Sequence, residues 1–230
     1  MRLLAFETAT EACSVALSVD GAIIERFEIA PRRHAELSLP WAEQLLAEAG
    51  IGRTQLDAIA VGRGPGAFTG VRLAIALGQG IALALDRPVI AISTLAALAQ
   101  QSRGARTIAA IDARMGEVYL GAFEGLGVDQ QAASAETLSR PELAPCPETG
   151  EWSGVGSGFA AGEGALVSRL GTGLRTFDAS ALPHAADVAR LAMIAFARGE
   201  AIAPEQLEPA YLRNEVALTL AQQQANRAAR

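Results

Sequence analysis

The chain has no lysine: all 19 of its basic residues are arginine. That excludes a Schiff base, a lysine general base and the lysine that a Walker-type phosphate loop requires. Histidine is nearly as scarce. His34 and His184 are the only two, and they form neither an H-x-x-x-H nor an H-E-x-x-H spacing, so no imidazole-based metal motif is present. The two cysteines, Cys13 in a strand-like run and Cys146 in a proline-rich stretch, make no disulfide framework. No basic-then-apolar leader precedes the first strand-like run. The longest apolar run, Val71 to Leu85, is short for a bilayer and carries Arg72 and Gln79. These features predict a globular, cytoplasmic protein with no membrane partner. Its formal charge of −6 and pI near 5.1 give no general attraction to phosphate backbones, which leaves only a local arginine patch for any nucleic-acid contact.

What is present is apolar patterning: half of the 230 residues are hydrophobic, enough for one large domain or two lobes. Three strand-like runs open the chain, Leu3 to Phe6, Cys13 to Val19 and Ile23 to Ile29. The last two are joined at Asp20-Gly21, a strong hairpin signal. A helix pattern follows from Ala35 to Ala49, with Leu37, Trp41, Leu45 and Ala49 on one face and Gly50 as its stop. Pro40 falls inside this pattern and could mark the true start of the helix.

The segment Leu56 to Val61 reads as a buried strand. It feeds the glycine-rich stretch Gly62 to Gly70, GRGPGAFTG, and then a helix from Val71 to Leu85 that Thr69 could cap. A glycine turn at a helix N-terminus leaves unpaired N–H groups that suit an anion. It can equally be a tight turn packed against a neighbour. A strand at Val89 to Ile92 and a helix from Thr94 to Gln101 complete the first half.

Beyond a linker at Ser102 to Ala105 the same order recurs. Strands are expected at Thr107 to Ile111 and Glu117 to Phe123, around a turn at Asp112 to Gly116, with another at Gln131 to Ser134. Then come a helix from Pro141, a strand at Trp152 to Val155, a helix at Gly162 to Leu170, a strand at Leu174 to Phe177 and a helix at Ala185 to Arg198. FET after LLA in the first half matches IDA after IAA in the second, so Glu7 and Asp112 occupy corresponding places. Either can be a site carboxylate or simply a polar residue closing a strand. Two such α/β lobes with a cleft between them make the plan of the actin, sugar-kinase and Hsp70 class, a duplicated ribonuclease H-like fold. The division expected is 1–104 for the first lobe, 105–212 for the second and 213–230 for a tail. Ligands of this class sit between the lobes. The residues placed there are Thr8, Thr10, Gly64, Gly66, Asp112 and Arg114, with Gly156 and Gly158 from the VGSG turn.

LLAFETATEACSVAL, GRGPGAFTGVRLAI, STLAALA and AAIDARMGEVYLGAF strongly resemble the TsaB family, also called YeaZ, of bacterial tRNA threonylcarbamoyladenosine biosynthesis proteins. The resemblance runs from Met1 to about Ala217 and weakens between Val128 and Gly150. It implies a role in modifying the adenosine 3′-adjacent to the anticodon of tRNAs that read codons beginning with A. In that pathway TsaC-type enzymes make threonylcarbamoyl-adenylate and TsaD transfers the threonylcarbamoyl group. TsaB binds TsaD, and the ATPase TsaE joins them. TsaD-type proteins carry an HHMEGH-like histidine pair after the strand that follows the glycine loop. Here that segment is ISTLAALAQ, Ile92 to Gln100, with no histidine or carboxylate. The resemblance therefore implies a subunit with no catalytic residue and no metal site, reaching tRNA only through the complex. It needs no cofactor of its own, and any ATP or ADP contact is a weak one in the complex, because neither FETATEA nor IDARMGEV has the glycines that let backbone approach phosphate.

A chain that does no chemistry should pair through a surface. Ala74, Gly78 and Ala82, spaced by four, would let another helix approach closely, beside a ridge of Leu73, Leu77, Ile81 and Leu85. With Leu37, Trp41 and Leu45 they make the expected face for TsaD, and for a homodimer when TsaD is absent. The alternative is an autonomous ATPase or small-molecule kinase, with Asp112 polarising a hydroxyl and Glu7 holding magnesium through water. A peptidase is disfavoured, since no serine or cysteine has a histidine in a supporting motif.

Overall fold

The computed structural model describes residues 1–147 and 150–213; the tail 214–230 lies outside them. The first sheet is built from β1 (Arg2–Glu7), β2 (Ala12–Val19), β3 (Ala22–Ile29), β4 (Ala58–Gly62) and β5 (Val89–Ile92), in the order β3-β2-β1-β4-β5. The hairpin β2–β3 turns at Asp20 and Gly21, both with positive φ, as a two-residue type I′ turn requires. β4 and β5 run parallel to β1.

The second sheet takes β6 (Arg106–Arg114), β7 (Glu117–Glu124), β8 (Gln131–Ala132), β10 (Trp152–Val155) and β11 (Leu174–Asp178) in the order β11-β10-β6-β7-β8, with β9 (Thr137–Ser139) also on β7. β6 takes the place of β1, β7 of β2, β10 of β4 and β11 of β5, with the same parallel and antiparallel senses. The duplication read from two short strings is thus a duplication of topology.

Helices α1 (His34–Glu48) and α2 (Phe68–Leu85) cover one face of the first sheet, where Leu45, Ala74 and Ala82 join Phe6, Leu17 and Val61 in one core. The other face is covered from the far end of the chain. Helix α5 (Ala185–Ala197) lays Ala185, Val188, Ala189 and Ala192 on Leu3, Ala5, Ala16 and Ala60. Alanines on both sides let this helix sit close to the sheet. Helix α3 (Thr94–Ala99) crosses in the opposite sense and packs Leu95 and Leu98 on Ala109, Ile111 and Val155 of the second sheet. α4 (Ala165–Leu170) covers that sheet's remaining face. The boundary expected at 104/105 therefore divides the sheets but not the helices, which the lobes exchange. The segment after α5 continues along the first lobe, bridging Val89 through Ile202 and burying Leu207 against α2.

Several boundaries move for local reasons. α1 starts at His34 and passes through Pro40, because the carbonyl that loses its donor belongs to Glu36 on the exposed side. Gly50, at φ 66, closes the helix with Gly50 N donating to Ala47 O and Ile51 N to Leu46 O, a Schellman pair. α2 begins at Phe68 with Ala67 as N-cap, so Thr69 lies inside the helix and does not cap it. The helix expected from Pro141 is a single 3-10 turn, Pro141–Leu143, since Pro145 disfavours helix at the residue before it. The strand expected over Gln131 to Ser134 is two residues long, and β9 follows it unforeseen. The helix expected from Gly162 starts only at Ala165, because Gly162, Glu163 and Gly164 are left-handed.

Candidate functional site

Two turns approach each other between the lobes, one after β1 and one after β6. In the first, the Glu7 carboxylate is 1% exposed and wholly enclosed. Oε1 accepts from Ala9 N at 2.7 Å, and Oε2 accepts from Thr94 Oγ1 at 3.0 Å. Thr94 in turn accepts from Gly64 N at 3.2 Å. Gly62 makes this possible: a Cβ there would lie 1.9 Å from Glu7 Oε2. Burial outweighs these hydrogen bonds and pushes the Glu7 pKa up to about 7.

The glycine loop is packed onto the same turn. A Cβ on Gly66 would lie 2.4 Å from Ala9 O, and one on Gly70 would lie 1.9 Å from Thr8 O. Ala67 N donates to Ala9 O at 2.7 Å, and Thr8 Oγ1 donates to Gly70 O at 2.7 Å. Of the two readings of this loop, close approach to the chain's own backbone is the one these contacts explain. Gly64, Gly156 and Gly158, expected at a ligand, are closely packed against the chain itself. Gly64 faces Val71, while Gly156 and Gly158 both press on Ala110.

The second turn is open. Asp112 Oδ2 pairs with Arg114 Nη1 at 2.9 Å, with side-chain exposures of 29% and 82%. Its Oδ1 accepts from Arg114 N at 2.8 Å, and Asp112 N donates to Ser157 Oγ. Arg114 and Met115 both hold left-handed φ, 61° and 57°, and Met115 is 87% exposed.

Between the turns lies a cavity of about 840 Å³ lined by Thr8, Thr10, Gly66, the start of α2, Asp112, Arg114 and the strap Pro209 to Arg213. The structure thus brings Thr8, Thr10, Gly66, Asp112 and Arg114 together, as expected, and leaves the other three glycines outside. The strap ties the lobes. Ala210 N donates to Arg63 O at 2.8 Å, Arg72 Nη2 donates to Tyr211 Oη at 2.5 Å, and Arg213 donates to Ala113 O while pairing with Glu117 at 2.7 Å. None of the quoted sequence motifs covers the strap.

The histidines are engaged structurally. His34 Nε2 lies 3.0 Å from Thr10 O and 3.1 Å from Ala12 O. His184 Nδ1 contacts Glu25 Oε2 at 3.0 Å and stacks on Phe27. In the segment after β5, Ser93 caps α3 by accepting from Ala96 N and donates to Glu136. Among the described residues no three His, Cys, Asp or Glu side chains gather as for a metal ion.

Comparison with known proteins places this arrangement. Residues 27–223 match the family described as TsaD, tRNA N6-adenosine threonylcarbamoyltransferase. The Escherichia coli tRNA threonylcarbamoyladenosine biosynthesis protein TsaB is 42% identical over 94% of this chain and 96% of its own length. The chain belongs to the TsaB family. The Haemophilus influenzae TsaB is 38% identical over 94% of this chain and 95% of its own. YeaZ from Pseudomonas aeruginosa superposes with a TM-score of 0.85 at 46% identity, over 92% of this chain and 99% of that one.

The face expected for a TsaB partner divides in two. Leu45, Ala74, Gly78 and Ala82 lie in the chain's own core, and a Cβ on Gly78 would already be 2.5 Å from Val61 Cγ1. The small-residue stripe admits the first sheet, and so cannot admit another helix. Leu37, Trp41, Leu73, Leu77 and Ile81 remain half-buried. The outward face of α2 adds Ala76, Gly80, Leu83 and Ala84, all exposed, with nothing within 4 Å of a Cβ on Gly80. This helix is apolar enough by length and composition to cross a membrane, yet its inner face is fixed on β4.

Proposed function

We propose that this chain is a non-catalytic partner subunit in the biosynthesis of threonylcarbamoyladenosine in tRNA. It acts in the bacterial cytoplasm, binds the TsaD transferase through the α1–α2 face, and with TsaD engages TsaE. The same face supports a homodimer when TsaD is absent, and ATP or ADP contact at the interlobe cavity is weak. The observation that carries this reading is the similarity to TsaB over 94% of the chain, joined to the condition of the candidate carboxylates. Glu7 is sealed from any substrate, and Asp112 is held by Arg114. The segment where TsaD relatives bear histidines is here used to cap α3 and hold Glu7. An autonomous ATPase or kinase finds no support in so closed a first turn.

An apolar outward helix face of six residues needs cover, since each large apolar side chain gains roughly 1.5–3 kcal/mol on burial. Leu73, Ala76, Leu77, Gly80, Leu83 and Ala84 form that face. The test is reconstitution with cognate TsaD, TsaE and the threonylcarbamoyl-adenylate donor, omitting one component at a time. Loss of tRNA modification on omitting this chain is expected, and full modification without it would sink the proposal. Gly80→Leu should weaken TsaD co-elution at least ~10-fold with little change in melting temperature, because a hot-spot contact is worth about 2 kcal/mol or more.

A further inference from the structure

The mouth of the interlobe cavity, at the start of α2, carries side chains outside the six-residue face proposed for TsaD. Phe68 and Tyr211 are 58% and 56% exposed. The Arg72 guanidinium stands between them, 3.3 Å from the Phe68 centroid and 5.0 Å from that of Tyr211, with its Nη2 bonded to the Tyr211 hydroxyl. The two rings are therefore held in place while both stay more than half exposed. Across the mouth, Arg114 and Met115 project from the β6–β7 turn, and Arg213 Nη1 lies 3.0 Å from Met115 Sδ. Arg32 lines the same cavity beside the start of α1.

Arg32, Arg114 and Met115 all have left-handed backbone, at φ 71°, 61° and 57°. That conformation costs a non-glycine residue of order 1 kcal/mol or more; at Met115 it is set by the two-residue turn Met115-Gly116, which thereby carries Arg114 and Met115 to the opening. Among the described residues, three of the six non-glycine residues with positive φ thus stand at one opening. The result is an alternation of arginines with flat or soft apolar groups, on a chain whose net charge is −6. Guanidinium groups match phosphates, exposed ring faces match unstacked bases, and their combination is the chemistry of single-stranded RNA recognition. A protein partner would explain the rings but not the arginines beside them. The overall acidity fits a contact that adds to an RNA site built mainly by another subunit.

We infer that the rim formed by Arg32, Phe68, Arg72, Arg114, Met115 and Tyr211 holds a single-stranded loop of the tRNA substrate, stacking a splayed base on Phe68 and Tyr211. This rests on the function proposed above, whose test is the omission of the whole chain. The rim is tested instead with point variants in the assembled complex with TsaD, by titrating labelled tRNA. Phe68→Ala with Tyr211→Ala should weaken binding about 10-fold or more, since stacking on an aromatic ring is worth about 1–3 kcal/mol per base. Phe68→Tyr should restore most of the loss contributed by position 68. Arg32→Ala, Arg72→Ala and Arg114→Ala together should lower the slope of log K against log salt by about 2, at roughly 0.7 per phosphate on a single strand.

TsaD co-elution should stay unchanged throughout. If the same variants release TsaD, the rim is a protein interface and the inference is wrong. It is equally wrong if tRNA affinity and its salt slope do not move. If AMP binds the isolated chain and the variants abolish that binding while leaving tRNA affinity intact, the rim serves a free nucleotide. Modification that proceeds without the chain overturns the function. The rim can then still be judged on its own, by crosslinking single-stranded RNA to the isolated protein.

Discussion

The turn after β1 and the turn after β6 stand in equivalent places in two sheets of the same strand order, yet one is a sealed knot and the other an exposed arm. Glu7 is enclosed, bonded to Ala9 N and Thr94, and backed by Gly62. Asp112 faces the cavity and is held by Arg114. Topology has been kept in both halves while the chemistry at the strand ends has separated. The first turn now fixes how the glycine loop and α3 meet β1, and the second presents side chains. Two sheets of one strand order can therefore set a carboxylate at the same strand end and surround it in opposite ways.

The sharpest way to break this contrast is to add one carbon beside the first turn, on β4, and one within the second. Gly62→Ala would place its Cβ 1.9 Å from Glu7 Oε2, forcing a buried carboxyl from its partners. Overpacking of about 1–3 kcal/mol adds to a similar cost for stranded polar atoms. A loss of roughly 3 kcal/mol or more in urea unfolding is expected. Gly116→Ala, in the second turn at φ 76 with nothing within 4 Å, should cost only about 1 kcal/mol of backbone strain. Equal losses would mean that the two turns are not mechanically different.

Titration separates them next. Glu7 has a folded pKa of about 7 against 4.5, so the folded state binds the extra proton between those values. Stability should fall as pH rises from about 4.5 to 7 and level off above, by up to about 3 kcal/mol at about 1.4 kcal/mol per unit. Glu7→Gln should remove that part of the slope in unfolding midpoints measured from pH 4.5 to 8. Asp112→Asn loses only a largely exposed pair, worth about 0–1 kcal/mol. A slope unchanged in Glu7→Gln would show that the buried carboxyl is not the group being titrated.

The sequence disclosed these halves unevenly, for physical reasons. Asp20-Gly21 and Gly50 were legible because their chemistry is local: a turn or a helix stop is written in one or two residues. The order of elements along the second half repeated that of the first, and the sheets follow it. The inner face of α2 was not legible, because a helix that is apolar nearly all round has no periodicity to say which side meets the sheet. Gly78 and Gly80 look alike in sequence, and only the nearness of Val61 tells them apart. Glu7 showed its place but not its burial, since the hydroxyl that holds it belongs to Thr94, 87 residues away. The exchange of α3 and α5 between lobes was likewise invisible, because short alanine-rich helices suit either sheet. Tyr211 and Arg213 belong to none of the motifs that mark the family, and they join Arg72 as a group only when the strap crosses the cleft.

The exchanged helices extend the same contrast to the lobe contact. α3 is fastened at its start by Ser93 on Glu136 and Thr94 on Glu7. α5 is fastened by Ser14 Oγ, which accepts from Ala185 N, and by Glu25, which accepts from Ala186 N and holds His184. The Glu25 partner raises the His184 pKa, and its hydrogen bonds, that from His184 first, lower the pKa of Glu25 against the opposing effect of burial. Stability from the raised histidine is fully present below its unfolded value near 6.5 and is lost as pH rises through the folded value. Stability from the lowered carboxylate is present above its unfolded value near 4.5 and is lost as pH falls through the folded one. Both contributions are therefore present together between those unfolded values. At about 1 kcal/mol for a half-buried pair, raising pH from 6 to 9 should speed hydrogen exchange in the first turn of α5 a few-fold beyond the intrinsic change. His184→Ala should abolish that difference while leaving α3 untouched. Were α3 to respond equally, the two helix starts would form one coupled unit, and the lobes would be joined more tightly than their separate fastenings imply.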